Sequence, residues 1–166
     1  MLLKARIVIH KNEIKMNFVS ERRLVNRLHQ YWLSLKSEDE DIPKFSKFNE
    51  SKIEDMWHTC VLFSVEGSGK QPIFKLQNMG DSLSEAFIDD LKNRYFSIRD
   101  KSILPGSNFA ESMEIAVRTR EFIKSEGQFI NPKNKIVKYR DCILPFSNAE
   151  NQVSNLIIGL SWRTIN

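Results

Sequence analysis

The spacing of apolar positions changes character along this chain, and each change marks an element. Residues 1–19 alternate loosely, at Ile7 and Ile9 and then Ile14, Met16 and Phe18, which predicts short edge strands or an extended arm. From Ser20 the period lengthens: Leu24, Leu28, Tyr31, Trp32 and Leu35 recur every three or four residues, so residues 20–36 are expected to form a helix with one apolar face and Ser20 as its N-cap. The acidic run Glu38-Asp39-Glu40-Asp41 before Pro43 reads as a solvated loop, and Asn49 as the cap of a short helix through Asp55.

The period then drops to two. Residues 59–66 predict a strand with Cys60, Leu62 and Ser64 on one side and Val61, Phe63 and Val65 on the other, so both faces are largely apolar and the sheet is expected to be covered on two sides. Gly67-Ser68-Gly69-Lys70 is hairpin chemistry, followed by a strand over residues 73–79 that Gly80 breaks. A phosphate-binding loop is excluded there, because the second glycine and lysine lack the required hydroxyl residue and following helix. Asp81 or Ser82 caps a helical segment toward Phe87. After the turn at Leu104-Pro105-Gly106, Asn108 with Glu111 has the pattern of a capping box for a helix presenting Phe109, Met113, Ala116, Val117 and Phe122 and stopped by Gly127. A short strand over residues 128–130 and two long amphipathic strands, residues 135–146 and 152–162, close the chain around the turn 147–151. Strands grouped around a helical block give an α+β class: a five-stranded antiparallel sheet with helices on one face and an N-terminal lead helix. The domain division expected is an extension over 1–19 and one domain over 20–166, with no output domain after the closing hairpin.

At 166 residues and 41% apolar content, the chain is long enough to bury a core without cross-links. The net charge of +4 is uneven: residues 1–36 hold eight Lys or Arg against two acids, and residues 37–100 hold eight against thirteen. Arg22, Arg23 and Arg27 read as the wet side of the lead helix, and no nucleic-acid partner is expected. Cys60 and Cys142 fit no metal-ligand spacing. They read as buried thiols in a cytoplasmic protein, able to pair only if their strands are neighbours. No apolar run is long enough to span a bilayer.

The wording of several segments narrows the class. Residues 25–36, with Tyr31-Trp32-Leu33-Ser34-Leu35, resemble the Tyr-Trp-x-Ser-Leu opening of the single-domain PAS-like proteins widespread in alphaproteobacteria. Phe74-Lys75-Leu76-Gln77-Asn78-Met79-Gly80 is similar to that family's Tyr-Arg-Leu-x-Gly strand ending. Tyr139-Arg140-Asp141-Cys142-Ile143-Leu144-Pro145-Phe146-Ser147, followed by Leu156-Ile157-Ile158-Gly159, resembles its Leu-Leu-Pro-Leu-Ser and Leu-Leu-Gly closing hairpin. Residues 84–100 depart from the family's Gly-rich segment. The resemblance implies a PAS fold and a cytoplasmic, non-enzymatic sensor or adaptor that signals through protein contacts. The alternative is a ligand-free dimerisation scaffold.

A PAS fold encloses a pocket between sheet and helices, and Leu76, Phe87, Phe109, Met113, Val117, Leu144 and Ile158 are expected to line it for a small ligand, although the same residues would serve as plain core. The cofactor is left unknown. His10, His29 and His58 all precede the helical block where a haem ligand would stand, and neither cysteine lies there to form a flavin photoadduct. Asp55, His58 and Cys60 are the only compact trio resembling hydrolase machinery; no nucleophile-elbow signature accompanies them, and no enzymatic activity is expected. The face Leu24, Leu28, Tyr31, Trp32 and Leu35 would either cap the outer side of the sheet or pair with a second copy or a signalling protein.

Overall fold

A computed structural model describes residues 6–9, 23–67, 71–86, 95–96, 109–130 and 133–165. Its elements are β1 (Arg6–Ile9), α1 (Leu24–Leu35), α2 (Glu54–Trp57), β2 (Cys60–Glu66), β3 (Ile73–Met79), α3 (Asp81–Ala86), β4 (Tyr95–Phe96), α4 (Phe109–Thr119), β5 (Ile123–Ile130), β6 (Ile136–Ser147) and β7 (Val153–Ile165). The strands form one antiparallel sheet in the order β1-β5-β6-β7-β2-β3-β4. Its five central members are the expected strands, side by side in one layer, and the short β1 and β4 extend the two edges. This is the α+β layer that the family resemblance implies.

The three middle strands β2, β6 and β7 carry apolar side chains both ways, so the sheet needs two covers. Val61 and Phe63 of β2, Phe74 and Leu76 of β3, Ile143 of β6 and Ile158 of β7 bury against Leu83 of α3 and Met113 and Ala116 of α4. The opposite parity, Cys60, Cys142, Leu144, Phe146 and Ile157, buries against Val25, Leu28 and Trp32 of α1 and Met56 and Trp57 of α2. The helices α3 and α4 thus share one face, as expected, and the lead helix α1, joined by the short α2, dries the second apolar face.

Packing of α1 depends on a missing side chain. Gly159 of β7 sits in register between Cys60 of β2 and Cys142 of β6, and a Cβ placed on it would lie 2.1 Å from Leu28 Cδ1. Leu28 thus fills the notch that the glycine leaves and is fully buried, a contribution of roughly 1.5–3 kcal/mol. Beside it, Trp32 Nε1 donates a buried hydrogen bond of 2.7 Å to the Pro145 carbonyl. Because Gly159 stands between them, Cys60 and Cys142 are two strand spacings apart, about 10 Å, beyond disulfide reach. Both are free and buried.

Three boundaries differ from those expected. Arg23 has extended backbone, so α1 starts at Leu24 and not at Ser20, which lies outside the described residues. Helix α4 ends at Thr119 instead of continuing to Gly127. Arg120 takes the left-handed conformation at φ 57°, and its guanidinium is held by Asp41 at 2.5 and 2.9 Å and by the carbonyl and side-chain oxygens of Asn151 at 2.8 and 2.9 Å. Phe122 consequently leaves the helix and buries on the α1 side, stacked on His29 at 3.8 Å. Gly127 lies inside β5, opposite Tyr139, and β5 is longer than the expected strand because Ile123 and Ser125 bury on the α4 side. The capping residue Asn108, the turns 68–70 and 104–106, and Ile14, Met16 and Phe18 lie outside the described residues. Asn49 caps as expected, its side chain accepting from the Ser51 amide at 3.1 Å.

Candidate functional site

On the α4 side of β6 the alternation runs Val137, Tyr139, Asp141, Ile143, an apolar row with one carboxylic acid in it. In β7 and β5 the register neighbours of Asp141 are Leu160 and Ser125. Strand alternation fixes Asp141 inward, and it is 1% exposed. The Ser125 hydroxyl donates to Asp141 Oδ1. Asp141 Oδ2 is buried without a partner, as is the Oγ of the fully buried Ser112 on α4. Burial pushes the Asp141 carboxyl up to about 7, against the hydrogen bond from Ser125 that favours its charged form. Near neutral pH this acid can therefore donate through its proton or accept as a carboxylate, and it has one oxygen to offer.

The expected lining residues divide around this acid. Leu76, Met113, Val117 and Ile158 lie on the α4 side with Asp141. Leu144 does not: it belongs to the α1 side, packed with Leu28 and Phe146, and its neighbour Ile143 takes the place expected for it. Adjacent strand residues face opposite ways, and with both positions apolar the hydrophobic pattern carries no parity. Phe87 and the side chain of Phe109 lie outside the described residues. Asp141 is not among the residues that an apolar pattern marks, and its signal in the sequence is a carboxylate at an inward position between Tyr139 and Ile143.

The proposed partner face is turned inward. Leu28 and Trp32 are 0% and 2% exposed against the sheet, and Leu24, Tyr31 and Leu35 pack partly buried around the same cluster. The capping role of this face is the one the structure displays, since the α1 side of β6 and β7 would otherwise be wet. Tyr31 is tied down further: its hydroxyl accepts from the Asn49 amide at 2.9 Å, and burial raises its pKa.

The trio of Asp55, His58 and Cys60 does not converge. Asp55 pairs with Arg27 at 2.6 Å, His58 is exposed, and Cys60 lies under α1. Burial pushes the Cys60 thiol up to about 12 and raises Cys142 well above the usual thiol range, so neither supplies a thiolate near neutral pH. Both cysteines also lie on the opposite side of the sheet from α4. Among the described residues no three His, Cys, Asp or Glu side chains stand together as a metal site, and no helix is long and apolar enough to cross a membrane.

No family model matches the chain, and no curated protein matches it. A solved structure described as an RNA-binding light-oxygen-voltage receptor is similar at a TM-score of 0.49 and 8% identity, over 96% of this chain and 38% of that one. The chain therefore spans well under half the length of that receptor.

Proposed function

We propose that this chain is a non-enzymatic, PAS-like sensory module that takes a small ligand between α4 and the inner face of β5, β6 and β7 and passes the event on through protein contacts. The observation that carries this reading is the buried, unpartnered Oδ2 of Asp141. An isolated polar atom in an apolar layer costs on the order of 1–3 kcal/mol, a cost that a ligand bearing an N–H or O–H donor would offset on binding. Met113, Val117, Ile143 and Ile158 would supply the apolar walls, with Phe87, Phe109 and, farther along the same face on β3, Leu76 as further lining positions, and Ser125 would orient the acid.

A thermal-shift screen of small amides, amines and hydroxylated heterocycles tests it, run in parallel on wild type and Asp141→Asn. Compounds that raise the melting temperature of wild type and lose that effect in Asp141→Asn are the expected result. A screen whose stabilisers act equally on both proteins would remove Asp141 from the site.

A further inference from the structure

Strands β6 and β7 outrun the helix that covers them. From Asp141 to Ser147 every residue of β6 is buried, but before that Lys138 and Arg140 alternate exposed with buried Val137 and Tyr139. In β7 burial on both sides ends at Leu160, and Ser161 and Arg163 are exposed. Helix α1 thus dries one half of this face and leaves the other half open. The open half holds a concavity of about 600 Å³ spanning β5, β6 and β7. Its walls are Glu126, Gln128, Lys138, Arg140, Ser161 and Arg163, all of the parity that faces α1, and its floor is the backbone row Gly127, Tyr139 and Trp162.

The charge of this basin is one-sided. Lys138, Arg140 and Arg163 stand against the single carboxylate of Glu126, and Lys124 follows on the same face of β5. Lys138 and Arg163 are register partners on adjacent strands, as are Arg140 and Glu126. Like charges placed opposite each other on neighbouring strands are destabilising, and a partner that brings carboxylates relieves that cost. Glu126 already shows how a carboxylate sits here, 3.4 Å from Arg140 Nε with both side chains more than half exposed.

We infer that this basin docks an acidic segment of a partner protein, its carboxylates taken by Arg140, Arg163 and Lys138, with Glu126 as the internal competitor. This deepens the proposed reading by giving the protein contact a location and a chemistry. A nucleic-acid strand fits less well: Tyr139 and Trp162 have the opposite parity, so no aromatic ring of the basin is presented for base stacking, and Glu126 stands among the cations.

The test is fluorescence anisotropy with a labelled oligo-glutamate peptide, an oligo-glutamine peptide as control and a labelled oligo-uridine strand, on wild type, Lys138→Glu/Arg140→Glu, Arg163→Glu and Glu126→Gln. Binding of oligo-glutamate alone is expected, weakened about tenfold or more in the two charge-reversal proteins and tightened in Glu126→Gln, with melting temperatures near wild type because every altered side chain is exposed. Absence of oligo-glutamate binding by wild type at low salt would overturn the inference. So would equal affinity in the charge-reversal proteins, or tighter binding of oligo-uridine that those substitutions abolish. The outcome is separable from the ligand reading, because peptide binding that depends on Arg140 stands whether or not Asp141 holds a small molecule.

Discussion

A carboxylic acid facing the interior of a sheet titrates differently from one in water, and Asp141 carries that difference into stability. Its ordinary pKa of 3.8 is raised to about 7 by burial, so the folded state holds the proton more tightly than the unfolded state does. The stabilisation from this site is fully present below the unfolded value and is lost as pH rises through the folded one. The expected loss is on the order of 4 kcal/mol between about pH 4 and pH 7. Asp141→Asn removes the titration, so the melting temperature of the variant minus that of wild type should climb across that interval and level off above it. Parallel curves for the two proteins from acid to neutral pH would place the acid's pKa back in the ordinary range. The Asp41–Arg120 pair runs the other way, with the guanidinium holding Asp41 down to about 2, so it stays intact throughout that interval.

At the scale of elements, the seating of α1 on the notch at Gly159 is the contact most sensitive to a single atom. Gly159→Ala places a methyl group where Leu28 Cδ1 now sits. Leu28 is a side-chain end and can shift, so the expected cost is about 1–3 kcal/mol, not loss of the fold. Chemical denaturation measures it, and a variant as stable as wild type would mean that α1 does not rest on β7. Much at this scale was legible in the sequence. The two-way alternation of residues 60–65 predicted both parities of β2 correctly, and β6 and β7 emerged within a few residues of their ends. The end of α4 was not legible, because Val117 and Phe122 continue a plausible helical spacing. What stops the helix is Arg120, held by Asp41, 79 residues away, and Asn151, 31 residues away. Local pattern contains nothing of such partners. Parity at Leu144 was equally hidden, since a run of apolar residues reads the same in either register.

For the whole molecule, the sheet divides the work. One face, under α1, is closed by Leu28 and Trp32 and opens beyond Leu160 into a basic basin. The other face, under α4, holds an acid among apolar walls. The central proposal is that this second face receives a small molecule through Asp141, and native mass spectrometry of freshly purified protein tests it most directly. Wild type is expected to show a population heavier than the denatured chain by one discrete small-molecule mass, absent from Asp141→Ala prepared in the same way. A wild-type native mass equal to the bare chain, or an identical adduct on Asp141→Ala, would contradict the account.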